Sequence, residues 1–153
     1  ACAGLGSLPA QIQMMHRFSF YMRQNNFLRA EQVLDNFLET DLNQGYYAPP
    51  EHDVHICRGP GDYPVQSSQS LVDDILDVIG HAGGQATGVF KIKLLEKILS
   101  AQKKQFDQTD YRIALTQCAL GACLQSCGFN ERALTTFQSA IETMHLYENM
   151  HHI

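Results

Sequence analysis

The chain has 153 residues, is 44% hydrophobic and 18% charged, and carries a formal charge of -5. That is enough apolar material for one globular core or for about three to four stacked helical hairpins, and it excludes a disordered tail. The excess of carboxylates argues against a general nucleic-acid role, because neutralising phosphates requires clustered Lys and Arg.

Residues 8–42 open the chain with apolar positions at Ile12, Met15, Phe18 and Met22, then at Phe27, Ala30, Val33, Leu34 and Phe37. This helical spacing is interrupted at Gln24 to Asn26, so the segment predicts a helix, a tight turn at Asn25 and Asn26, and a second helix. Pro9 is tolerated in a first helical turn, and Ser7 is a candidate cap. Residues 43–68 then gather Gly45, Pro49, Pro50, Gly59, Pro60, Gly61 and Pro64, which no helix could traverse. A long loop is expected there, and loops of that length in compact domains are commonly functional or disordered.

A third, amphipathic helix is expected over residues 70–79, with Leu71, Val72, Ile75, Leu76 and Ile79 opposite Asp73, Asp74 and Asp77. The Gly-rich run at 81–88 ends it. A fourth helix follows over 89–105, with Phe90, Ile92, Leu94, Leu95, Ile98 and Leu99 as its apolar stripe, and 107–110 breaks it. Residues 111–126 and 130–150 form the last hairpin, with Gly128 positioned to take a left-handed backbone between them. The expected fold is all-α, six helices without a convincing strand, in one domain over residues 8–150.

The last hairpin carries the most specific pattern. Leu120, Gly121, Leu124, Gly128, Ala133, Phe137 and Ala140 stand in the register of a tetratricopeptide repeat, which this segment resembles; His145 stands where the family has a proline. The first hairpin fits with Met14, Tyr21, Asn25, Ala30, Leu34 and Phe37, but Phe18 occupies a place usually held by a small residue. The middle hairpin fits by polarity, through Val78, Ile79, Ala82, Leu95 and Ile98. The step between equivalent places at Lys91 and Ala133 is 42 residues, and with the connector at 105–114 it resembles kinesin-light-chain-like and nephrocystin-like repeats.

This resemblance implies a right-handed stack of about three helical hairpins, a TPR-like α-solenoid, whose inner helices line a concave groove. Carried across, the groove places are Met15, Ser19, Met22 and Arg23 in the first hairpin, Leu76 and Gly80 in the second, and Cys118, Ala122, Gln125 and Ser126 in the third. Such a weakly polar surface with adaptable Met side chains suits an extended peptide or a helix of a partner protein. Members that grip chaperone tails carry Lys and Asn at places where this chain has Cys118, Ala122 and Gln125, which argues against that ligand. Ile141, Met144, Leu146 and Met150 run along the last helix, so further repeats or another copy in a homo-oligomer are expected to cover that end.

Other candidates are weaker. Lys93, Lys97 and Lys104 share a helix face and read as a solvated surface paired with Glu96 and nearby Asp residues, or as a dock for an acidic segment. His52, His55 and Cys57 form a His-x-x-His-x-Cys cluster with Asp53, but structural zinc takes four ligands and no second pair is near. They support an alternative reading as a ligand- or metal-responsive sensor built on the 43–68 loop; otherwise the loop is simply polar. Cys118, Cys123 and Cys127 spread around their helix and read as small packing residues, and His145, His151 and His152 as surface or packing residues.

Neither a nucleophile elbow, a phosphate loop nor a zinc-protease motif is present; the glycines of 83–88 lack a following Lys-Ser/Thr, and nothing selects Cys57 and a histidine as a nucleophilic pair. No enzyme and no cofactor is expected. Five cysteines, an odd number with three in one helix, imply reduced thiols and a cytoplasmic protein. No membrane span or signal peptide is recognisable, and the absence of an initial Met suggests a fragment or processed piece.

Overall fold

The computed structural model describes residues 8–42, 46–47, 69–82 and 87–151. The protein is all-α. Among the described residues the helices are α1 (Leu8–Arg23), α2 (Phe27–Leu38), α3 (Leu71–His81), α4 (Gly88–Gln105), α5 (Tyr111–Ser126) and α6 (Asn130–His151). The extended structure there is one short antiparallel ladder, β1 (Tyr46–Tyr47) with β2 (Gln69–Ser70), in which Tyr46 faces Ser70 and Tyr47 faces Gln69. Two points differ from expectation. Ser70 closes this ladder and the third helix starts at Leu71, while Tyr46 and Tyr47 leave the expected loop, as adjacent tyrosines favour paired extended backbone. The rest of 43–68, including His52, His55 and Cys57, lies outside the described residues.

The helix ends follow from local chemistry. Asn25 takes φ 57°, a left-handed conformation that Asn tolerates, and Asn26 caps α2 by accepting the Arg29 N–H at 3.4 Å. Gly128 takes φ 87° after α5; its N–H reaches the Gln125 carbonyl at 3.0 Å, and the Phe129 N–H reaches Leu124 at 2.9 Å. These bonds satisfy carbonyls that the helix end would leave orphaned. Between α4 and α5, Asp107 accepts the Thr109 N–H at 2.9 Å, and Asp110 caps α5 by accepting the Arg112 N–H at 2.9 Å. Hydrogen bonds from Thr109 to its carboxylate hold Asp107 below the ordinary aspartate range.

Partner registers give the helix directions. Phe27 meets Phe90 with ring centroids 4.6 Å apart, Glu31 pairs with Lys93 and Lys97, and Gln105 accepts the Leu42 N–H at 2.8 Å while donating to the Thr40 carbonyl. These contacts advance together along α2 and α4, which therefore run parallel. Tyr111 against Tyr147, Gln117 against Thr143 and Gly121 against Phe137 advance in opposite senses, so α5 and α6 are antiparallel.

The core joins all of this through Phe18, Leu34, Ile75, Leu94, Ile98 and Leu124, each nearly inaccessible to solvent. α5 and α6 make the closest helix pair, followed by α4 with α5 and α1 with α2. The backbone of α3 makes its close approaches to α1, β2 and α5, and it stands off from α4 although the two are consecutive. No helix among the described residues is long and apolar enough to cross a membrane.

Candidate functional site

The space beside α3 is where the fold leaves room. On one side, a cavity of about 520 Å³ lies between the end of α1, the following turn and the end of α3. Ser19, Met22, Arg23 and Asn25 line it from the first hairpin, with Val78, His81 and Ala82 opposite. On the other side, about 230 Å³ lies between α3, α4 and α5. Leu76, Ile79 and Gly80 form one wall, Lys91 and Leu95 a second, and Ala119, Ala122, Cys123 and Ser126 the third.

Seven of the expected groove residues thus border these cavities: Ser19, Met22 and Arg23 the larger, and Leu76, Gly80, Ala122 and Ser126 the smaller. Met15 borders neither and packs, half-buried, against the core; Met22 is itself core at 3% exposure, offering only an edge. Cys118 and Gln125 are exposed on α5, where they continue a stripe with Tyr111, Leu115 and Ala122 at helical spacing. That stripe carries no charge. Sequence reasoning missed Asn25, His81 and Lys91 as lining residues. Asn25 was visible as a turn, and Lys91 lies roughly 200° around the helix from Lys93, outside the lysine face.

Chemically the two cavities share one property. Each holds a cation, Arg23 in the larger and Lys91 in the smaller, and among the described residues neither lining includes a carboxylate. Neither cation forms an ion pair there. Lys93 and Lys97 behave differently. They pair with Glu31 at 3.0 and 2.8 Å, and Lys97 also with Asp35 at 2.8 Å. Two of the three lysines of that face are therefore engaged by α2, Lys104 stays exposed, and Glu96 pairs with Arg132 at 3.3 Å. Hydrogen bonds from Lys97 and then Lys93 hold the Glu31 carboxyl below its ordinary value, while Asp35 and then Glu31 hold Lys97 above its own.

The polar groups have defined roles. His81 donates through Nδ1 to the Asp77 carbonyl at 2.8 Å, which leaves Nε2 unengaged by that bond. Burial pushes the Cys123 thiol up, with Lys91 opposing that shift. Cys123 and Cys127 pack half-buried against the core; Cys118, expected to do the same, is exposed because it falls on the outer stripe of α5. Among the described residues no cluster of His, Cys, Asp and Glu could hold a metal ion. A third cavity, about 210 Å³ between α1 and α2, contains none of the expected groove residues, and the buried amide of Gln11, which lines it, has no hydrogen-bond partner among the described residues.

No family model, no curated protein and no solved structure matches this chain.

Proposed function

We propose that this chain is a protein-binding module, a TPR-like right-handed stack of three helix pairs whose middle pair, α3 and α4, is splayed apart, and that it takes an extended peptide or a helix of a partner along the side where α1, α3 and α5 meet. The observation that carries the reading is the pair of cavities flanking α3, bordered by residues of all three of these helices and continued by the uncharged stripe of α5. These cavities offer graded apolar and polar contact, as recognition surfaces do.

The helix registers support the same reading. A stack of antiparallel hairpins brings equivalent helices of successive repeats side by side in parallel, as α2 and α4 run. Leu134, Ile141 and Met144 are exposed on α6 at 60%, 57% and 38%, the surface that a further repeat or a second copy would cover. The free thiols of Cys118, Cys123 and Cys127 suit a reducing, cytoplasmic setting.

The test is quantitative affinity capture from cell extract by the native chain and by a double variant, Ala122→Glu with Gln125→Ala, whose helicity is verified by circular dichroism. Both side chains are exposed, so the fold should survive. Loss of a defined set of proteins with the variant is expected. Capture that is identical for the two folded proteins would sink the groove reading.

A further inference from the structure

The two cavities beside α3 differ in size and agree in charge, and that agreement constrains the partner. We infer that they receive two separated carboxylates of one extended protein segment, one beside Arg23 and one beside Lys91, with the chain between them crossing α3 at Gly80. This rests on the groove reading above and specifies its ligand. Both cations are free of ion pairs among the described residues and face cavities without a carboxylate, in a protein whose net charge is -5. Local positive charge left uncompensated in an acidic protein attracts carboxylates, and Arg23 and Lys91 are two such groups that stand on either side of one helix, α3.

The crossing point is equally specific. Gly80 borders the smaller cavity, is exposed, and a Cβ built on it would meet no atom of the described residues within 4 Å. His81 and Ala82, the next residues, border the larger cavity. The last turn of α3 is therefore a low ridge between the two. A helix is about 10 Å across and an extended chain advances about 3.3 Å per residue, which puts the two acidic residues roughly three or four positions apart. Asp77 stands exposed one turn before Gly80, so the residues on the ridge must be neutral or basic. A run of contiguous acids would be repelled there. Ser19 and Asn25 add neutral hydrogen-bonding groups beside Arg23 for the carboxylate that settles in the larger cavity.

The test is fluorescence anisotropy with labelled, terminally blocked peptides of alanine and serine that carry two glutamates at that separation. Matched probes have two glutamines in the same places or the glutamates side by side. Saturable binding of the separated diglutamate peptide is expected, weakened about tenfold or more by glutamine replacement, by adjacency, and by either Arg23→Gln or Lys91→Gln. Gly80→Glu should abolish it and Gly80→Ala should preserve it. Absence of saturable binding by the separated peptide overturns the inference, as does indifference to either cation variant. Equal binding of glutamine and glutamate peptides would also overturn it, while leaving the groove reading to stand or fall with the Ala122→Glu result.

Discussion

The two faces of α5 use small residues for opposite ends. On the face toward α6, a Cβ added to Gly121 would come within 2.8 Å of the Phe137 ring, and Ala133 and Ala140 from α6 are buried against the same seam. On the other face, Ala119, Ala122 and Ser126 border about 230 Å³ of open space. Smallness lets two helices touch in the first case, and in the second it keeps a third and fourth from closing. The difference lies in what stands opposite. Phe137 fills the space that Gly121 gives up, whereas Ala119, half-buried against the core, borders a cavity between helices α3 and α4, which stand apart.

Adding carbon to each face separates the two cases most strongly. Gly121→Val forces branched methyls into the Phe137 ring and should destabilise the protein by about 3 kcal/mol, the upper range for overpacking, despite the gain in helix propensity. Ala119→Val, pointed into the open cavity, should change stability by less than about 1 kcal/mol. Urea denaturation of both variants measures the contrast. Similar losses at the two positions would mean that the faces do not differ as described. Pairing Gly121→Val with Phe137→Leu should recover part of the loss, since the two changes share one contact.

The start of α5 holds both faces in register, which makes its cap the next point of attack. Asp110 accepts the Arg112 N–H and the Arg112 Nε–H, each at 2.9 Å, while the Arg112 guanidinium lies 3.7 Å from the centre of the Phe106 ring. Asp110→Ala removes the cap and releases the guanidinium from its seat. A loss of about 1 to 2 kcal/mol is expected in the same denaturation assay, with Asp110→Asn retaining much of it as a neutral cap. A loss equally large in Asp110→Asn would assign the effect to the ion pair rather than to the cap.

How much of this was legible in the sequence depends on whether a residue acts locally. Asn25, Gly128 and the break at 107–110 were readable because backbone conformation and capping are set within a few residues. The register of Leu120, Gly121, Leu124, Ala133 and Ala140 was readable too, because two long helices joined by a tight turn can meet along only one seam. The ladder joining Tyr46 to Ser70 was not, since two-residue strands carry no periodicity. Nor were the partners of Lys93 and Lys97: Glu31 and Asp35 lie about sixty residues earlier, and only the parallel course of α2 and α4 brings them near. The candidate site divides in the same way. Ser19, Arg23, Leu76, Ala122 and Ser126 follow from helix phase, whereas the burial of Met15 and Met22 and the presence of Lys91 in the cavity on the far side of α3 from Arg23 depend on how far helices stand apart.

That ion cluster offers a pH-dependent test of the α2–α4 seam, independent of either face of α5. Glu31 is held below 4.5 by Lys97 and then Lys93, so its contribution is complete above 4.5 and disappears as pH falls through the folded-state value. Lys97 is held above 10.5 by Asp35 and then Glu31, so its contribution is complete below 10.5 and disappears as pH rises through the folded-state value. Because Lys93 and Asp35 are about half exposed, solvent screening limits the whole cluster to about 1 kcal/mol. Lys97→Met should lower stability by part of that amount at neutral pH, abolish the alkaline limb and shrink the acid limb to what Lys93 sustains on Glu31. Limbs unchanged in the variant would locate the titrating groups elsewhere.

The smallest effect is the most diagnostic for the ridge. Gly80 sits in the last turn of α3 with open space where a Cβ would stand, so its lack of a side chain serves no close approach, unlike that of Gly121. Replacing such a glycine by alanine restricts the unfolded chain and improves helix propensity, typically by about 0.5 to 1 kcal/mol, with less expected near a fraying end. Gly80→Ala should therefore raise the melting temperature by about 1 to 3 °C in a chain of this size, and Gly121→Ala should lower it. A fall with Gly80→Ala would mean that another part of the molecule occupies the ridge, and with the ridge filled no segment could pass from Arg23 to Lys91 across α3. A rise leaves the ridge open and gives a stabilised protein in which the crossing can be measured against a background that the substitution has not weakened.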